Sequence, residues 1–143
     1  MDKAGGAGLP YLLNALSSTN PTVVRYAIHH LSERGKAAEP AIPRFISLVD
    51  HTDKYVRAAS ALVLKNFPDA GGSCVPALRR ALSDSAPEVR QNAAFALGEL
   101  GGVAKPAIPD LLQHINDPNS YCALLSSNAV ARIDPSTLPR RGL

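Results

Sequence analysis

Proline recurs at a spacing of 33 residues along this chain of 143 residues, at Pro10, Pro43, Pro76 and Pro109. When the sequence is written in blocks from these prolines, apolar residues align in columns without an insertion or a deletion. Two positions after each proline, for example, stand Leu12, Phe45, Leu78 and Leu111. Chance would not keep several apolar columns in register through successive blocks, so the chain is predicted to consist of internal repeats.

The spacing predicts four repeats within one domain. Their limits are residues 10–42, 43–75, 76–108 and 109–141. The fourth is degenerate, because its second half reads YCALLSSNAVARI and lacks the Val-Arg pair of the second and third repeats. Residues 1–9 align with the end of a repeat and are predicted to be the tail of a partial preceding one. Apolar residues near both ends lead us to expect further repeats or self-association there.

Each block is predicted to contain two amphipathic helices. In the second block, Phe45, Ile46 and Val49 have the spacing of one helical face, and a second apolar series follows the break at residues 53–54. A unit of this size cannot bury its apolar face alone and must stack on its neighbours. We therefore expect an all-α fold, a right-handed α-solenoid (α-α superhelix) of four 33-residue two-helix repeats.

Two segments carry a family resemblance, PAIPRFISLVDHTDKYVRAASALVL and PALRRALSDSAPEVRQNAAFALGELGGVAKPAIPDLL. They resemble HEAT-like repeats of the phycobilisome-lyase type, whose pattern is a PAIP-type turn, an acidic break and then VRxxAAxALG. The resemblance covers roughly residues 9–141. It implies a helical solenoid whose second helices line a concave surface.

The same resemblance implies a structural role for four charged residues. Arg57 and Arg90 match the inner-helix arginines of the family. We expect them to form a ladder between repeats, with Asp84 and Asp117 as acceptors, because arginine suits partly buried ion pairs. The alternative is that the two arginines contact a ligand directly.

Composition excludes several classes of function. The formal net charge is +3, and Arg140 and Arg141 in the tail supply two of these charges. The nearly neutral body argues against nucleic-acid binding. No run of about 18 apolar residues is present, so no membrane segment is expected. The N-terminus lacks the pattern of a signal peptide, which favours a cytoplasmic protein.

Nothing in the sequence indicates catalysis. His29 and His30 are adjacent on a predicted helix and point about 100° apart, and the other two histidines lie in different blocks. A metal site is therefore not expected. No nucleotide-binding or nucleophile motif occurs, and Cys122 occupies an apolar column. We predict a protein that is not an enzyme and has no cofactor.

The second helices carry the candidate binding residues. Leu62 and Phe95 are large apolar residues in columns that the period marks as exposed, and with Tyr55 they are expected to form a ridge. The predicted partner-binding residues of the concave face are Arg25, His29, Tyr55, Leu62, Gln91, Phe95, Glu99 and Tyr121. Aromatic anchors within a polar rim are typical of protein interfaces, so we predict a scaffold that binds a protein or peptide. The alternative is that neighbouring helices cover Leu62 and Phe95.

The resemblance leaves two other functions open. The chain is also similar to phycobilin lyase subunits, which share these repeats, and would then be a subunit of an enzyme complex. HEAT-like alkylpurine DNA glycosylases bind nucleic acid with related repeats. The mixed charges and the absence of tryptophan argue against this last function.

Overall fold

The computed structural model describes residues 3–139, with side chains from residue 8 onwards. Residues 1–2 of the predicted partial repeat and residues 140–141 of the predicted fourth repeat lie outside the described residues, as do the charges of Arg140 and Arg141. Over the described range the chain is helical and has no strand. The α-helices are α1 (Lys3–Ala15), α2 (Pro21–Ser32), α3 (Ile42–Leu48), α4 (Lys54–Val63), α5 (Gly71–Ala81), α6 (Pro87–Leu100), α7 (Ile108–Gln113) and α8 (Ser120–Ile133). Short 3-10 helices occupy Gly35–Ala41, Leu64–Asn66, Pro68–Ala70, Gly101–Ala107 and Pro135–Thr137.

The helices pack in consecutive pairs, and the second members of the pairs form a continuous row. Helix α1 contacts α2, α3 contacts α4, α5 contacts α6 and α7 contacts α8. Helices α2, α4, α6 and α8 also contact one another in sequence, and the last two contacts of this row are the most extensive. This arrangement is an α-solenoid, as the period predicted.

Side-chain caps fix where most of the second helices begin. The side-chain oxygen of Asp53 accepts hydrogen bonds from the amides of Tyr55 and Val56, at 2.9 and 3.0 Å. Asn20 and Asn119 cap α2 and α8 in the same way. Such a cap satisfies amide groups that have no partner within the helix. Ala86 provides no cap for α6, but its own amide donates to Asp84 at 2.9 Å, which holds the turn.

The core follows the aligned columns, with a local change in the first block. Phe45, Leu78 and Leu111 are fully buried two positions after their prolines. In the first block, however, Val24 is completely buried, whereas Val23, which aligns with the buried Val56 and Val89, is only half-buried. The cap at Asn20 keeps its place in the 33-residue register, so the exchange is confined to the face that α2 turns inwards.

Small residues bring α6 and α8 close together. A Cβ atom at Gly98 would lie 3.1 Å from the Cα of Ala129. That distance is shorter than an ordinary carbon contact, so a larger residue would crowd α8 at this helix separation. Gly98 is buried at the centre of the contact between the two helices.

Candidate protein-binding surface

The row of second helices carries most of the exposed large apolar side chains. Between 38 and 55% of the surface of each remains accessible. They are Tyr26 on α2, Tyr55 on α4, Phe95 on α6, and Tyr121 and Leu124 on α8. Exposed apolar groups concentrated on one set of elements indicate an interaction surface rather than scattered surface variation.

A bidentate ion pair fixes α4 relative to the turn before α6. Arg57 Nε and Nη2 donate to the two carboxylate oxygens of Asp84, at 2.8 and 3.0 Å. Arg57 Nη1 also donates to the carbonyl oxygens of His51 and Thr52, both at 3.0 Å. Burial alone would raise the pKa of Asp84, but the hydrogen bonds from Arg57 and the Ala86 amide outweigh it and leave that pKa below its usual value.

The same arrangement recurs one period later. Arg90 donates to both oxygens of Asp117, at 2.9 and 3.0 Å, and to the carbonyl oxygens of Asp84 and Ser85. The Asp117 side chain is only 2% exposed. The hydrogen bonds from Arg90 lower the pKa of Asp117 from 3.8 to about 2. Each arginine thus joins its own turn to the next one, which stiffens the row between α4 and α8.

The corresponding ion pair is absent between α2 and α4. The positions 33 residues before Arg57 and Asp84 hold Val24 and His51. His51 makes one of the contacts that the aspartates make, because it accepts a hydrogen bond from the amide two residues further on. The bond runs from the Asp53 amide to His51 Nδ1 and is 3.0 Å long. Val24 carries no charge and cannot form an ion pair with His51. Helices α2 and α4 pack less extensively than the pairs that the arginines join.

A groove of about 570 Å³ lies between α2 and α4. Ile28, Ala59, Leu62 and Val63 provide its apolar lining. Polar and aromatic lining comes from Thr22, Arg25, Tyr26, His29, Ser32, Lys65 and Asn66. A second depression of about 80 Å³ lies between α6 and α8, and Phe95, Leu125 and Arg132 are among its lining residues. The wider groove thus occurs where the ion pair is missing.

The structure brings some predicted binding residues together and separates others. Arg25, His29 and Leu62 line the α2–α4 groove, and the Arg25 guanidinium lies 5.3 Å from the centre of the Tyr55 ring. Phe95 belongs to the α6–α8 depression instead, so Leu62 and Phe95 do not line one continuous cleft.

The remaining predicted residues lie further along the row. Gln91 is half-buried and donates to Asn119 at 3.4 Å. Glu99 forms an ion pair of 2.7 Å with Arg132 on the next helix. Tyr121 is exposed at the start of α8. These positions belong to the same row but lie outside the α2–α4 groove.

Tyr26 and Lys65 in the groove, and one contact between α4 and α6, were not among the features predicted from the sequence. Tyr26 and Lys65 line the groove, although no other block has an aromatic residue in the column of Tyr26 or a charged residue in the column of Lys65. The Tyr26 ring packs against His30 in a tilted arrangement with 4.2 Å between ring centres, which holds it at the groove. Asn92 donates from α6 to the Ala58 carbonyl at 2.9 Å. In the sequence, the only indication of these roles was that each residue differs in type from the residues at the same position in the other blocks.

Within the described residues, no group of histidine, cysteine, aspartate and glutamate side chains is arranged to hold a metal ion. In that same part of the chain, no helix has the length and apolarity needed to cross a membrane.

Comparison with known proteins relates both sequence and fold to helical repeats. The family model of HEAT repeats matches residues 42–126. No curated protein matches the sequence.

Solved structures similar to this one are helical repeat proteins and engineered proteins. One engineered protein has a TM-score of 0.78 and 22% identity over 91% of this chain, which spans 64% of its length. A second has a TM-score of 0.77 and 21% identity, and the chain spans 38% of it. The complex of CpcE and CpcF of phycocyanin lyase from Nostoc sp. PCC7120 has a TM-score of 0.63 and 24% identity, with 94% of this chain and 81% of that chain covered. At these identities the similarity shows the fold.

Proposed function

Because the chain belongs to the HEAT repeat family, we propose that it is a non-catalytic scaffold that binds a protein or peptide partner on the face formed by α2, α4, α6 and α8. Folds of this type commonly mediate protein interactions. The observation that carries the proposal is the α2–α4 groove, where the partly exposed Ala59 and Leu62 are edged by charged and polar side chains. This combination matches the apolar centre and polar rim of protein interfaces.

Rigidity of the row supports the same function. The two arginine–aspartate pairs hold α4, α6 and α8 in a fixed relation, so a partner would meet a preformed surface. A surface that is already ordered loses less conformational entropy on binding. The exposed aromatic residues along the row provide contact area at a low entropic cost, because each has only two side-chain torsions.

The test uses a double variant, Leu62→Ala with Phe95→Ala. The partner is captured with the full chain, identified by mass spectrometry, purified and titrated against both proteins. We expect the double variant to bind about tenfold or more weakly, since truncating the few residues that anchor an interface costs about 1 kcal/mol or more each. Helical content and the melting temperature should change little, because both side chains are partly exposed.

A matched control separates binding from general loss of apolar surface. Tyr11→Ala with Val103→Ala truncates two other exposed side chains that lie outside the second helices. This control should bind like the unmodified chain. Equal weakening in both variants would contradict the proposal, and a large loss of stability in Leu62→Ala with Phe95→Ala would show that those residues belong to the core.

A second candidate function is a subunit of a lyase complex. The observation that favours it is the similarity to the phycocyanin lyase complex, which extends over nearly the whole of this chain. The test is to incubate the chain with a bilin and an apo-phycobiliprotein and to follow visible absorbance. A shifted absorbance band on the protein would support this candidate, and an unchanged spectrum would dismiss it.

A further inference from the structure

The α2–α4 groove differs from the rest of the row in its charge. Arg25 and Lys65 line it, and no aspartate or glutamate does. Among the described residues, neither cation is within ion-pair distance of a carboxylate. Arg25 lies over the Tyr55 ring, and Lys65 donates to the neutral Asn66 side chain at 3.2 Å. Both cations are therefore available to an anionic group.

Cations elsewhere on the row are already neutralised. Lys54 pairs with Glu88 at 3.2 Å, and Arg132 pairs with Glu99 at 2.7 Å. Arg57 and Arg90 are occupied by the aspartates of the ladder. The unpaired positive charge of the row thus coincides with the α2–α4 groove.

The two cations stand at opposite ends of the apolar lining. Arg25 lies in the first turns of α2, and Lys65 follows the end of α4. Ser32 is the α2 position that corresponds to Lys65 in the 33-residue register, and it lies seven positions after Arg25 in the same helix. At 1.5 Å per residue the two cations are about 10 Å apart along the groove. An extended peptide covers that distance in about three residues.

From this geometry we propose that the α2–α4 groove binds an acidic peptide segment, with carboxylates at Arg25 and Lys65 and an apolar side chain seated on Leu62 between them. The inference rests on the proposed function, because it specifies the partner of the same surface. Charge complementarity selects the acidic segment, and burial of the apolar side chain provides most of the affinity. Val24 and His51 stand where the later helix pairs have an arginine and an aspartate. The absence of an ion pair there explains why the groove opens at this place in the row.

The experiment uses two libraries of displayed peptides. Each peptide is about twelve residues long, so that it extends beyond the groove. One library is randomised among Glu, Asp, Leu, Phe and Ser, and the other has Lys and Arg in place of the acids. Both are selected on the full chain, and the recovered peptides are titrated by fluorescence anisotropy. We expect enrichment from the acidic library and binding that weakens as salt is raised. Enrichment from the basic library alone, or from neither, would overturn the inference.

Charge reversal then locates the site. Arg25→Glu with Lys65→Glu should weaken the selected peptides about tenfold or more and remove most of their salt dependence. Arg44→Glu with Lys105→Glu changes net charge equally at exposed positions outside the groove and should leave the affinity within about twofold. Unchanged binding by the first double variant would overturn the inference. If that variant still binds the captured partner while Leu62→Ala with Phe95→Ala does not, the scaffold function stands and only the acidic specificity fails.

Discussion

The guanidinium of Arg57 bonds both carboxylate oxygens of Asp84, 27 residues further along the chain. The same two residue types meet again at Arg90 and Asp117, at the same separation. The recurrence means that the ion pair belongs to the contact between successive helix pairs. It also defines, by its absence at Val24 and His51, the contact that leaves room for a groove.

Asp117 is expected to make stability depend on pH. Its pKa is lowered to about 2, so its contribution is complete above pH 3.8 and is lost as the pH falls through 2. The shift of roughly two units corresponds to about 2 kcal/mol of unfolding free energy. Asp117→Asn should remove about that amount at neutral pH and flatten the decline between pH 4 and pH 2. Urea denaturation followed by circular dichroism measures both.

The control for that variant is Asp69→Asn, at an exposed residue outside the ladder. It should leave the unfolding free energy unchanged within about 0.5 kcal/mol at every pH. If Asp117→Asn behaves in the same way, the ladder does not stabilise the solenoid.

Gly98 is predicted to set the separation of α6 and α8. Gly98→Ala places a methyl group 3.1 Å from the Cα of Ala129, so the crowded contact is expected to cost about 1–3 kcal/mol. Gly102→Ala is the matched control, since a Cβ atom there has no neighbour within 4 Å. Thermal denaturation compares the two variants. A melting temperature for Gly98→Ala that equals that of Gly102→Ala would show that the close approach is not required.

Ser60 is the one described side chain that is buried without a hydrogen-bond partner. Its column holds Ala27 and Ala93 in the adjacent blocks, so an alanine fits the same space. Removing an unsatisfied hydroxyl should leave Ser60→Ala as stable as the parent or more stable by about 1 kcal/mol. Chemical denaturation tests this, and a loss of more than about 1 kcal/mol would indicate that the hydroxyl has a partner.

Cys74 is expected to be unreactive in the folded chain. It is completely buried, and burial raises the pKa of its thiol to about 11, so little thiolate exists at neutral pH. Iodoacetamide at pH 7.5 should leave Cys74 unmodified in buffer and alkylate it in concentrated urea. Peptide mapping by mass spectrometry reads the outcome, and rapid alkylation without urea would contradict the placement of Cys74 in the core.

The period of the sequence was sufficient to predict the fold. Apolar columns such as the one formed by Phe45, Leu78 and Leu111 recur because each helix pair must bury the same face against the next pair. The helices and their order are therefore predictable. The burial of Val24 instead of Val23 was not predictable, because both residues are apolar and lie in the same helical turn.

The groove was less predictable than the helices. Its width depends on how far α2 stands from α4, and a sequence column records only which residues are aligned. The sequence shows that Val24 stands in the arginine column and His51 in the aspartate column. The effect of these two residues on the packing of α2 and α4 became clear only from the contacts of Arg57 and Arg90. Exposure of Leu62 and Phe95 likewise depends on tertiary packing.

Amide hydrogen exchange on the full chain, free and saturated with its purified partner, is the most direct measurement of whether the second helices form the binding face. We expect slower exchange on binding in α2, in α4 and in the segment Leu64–Asn66, with α3, α5 and α7 unchanged. Protection confined to α3, α5 and α7, with the second helices unaffected, would contradict this expectation.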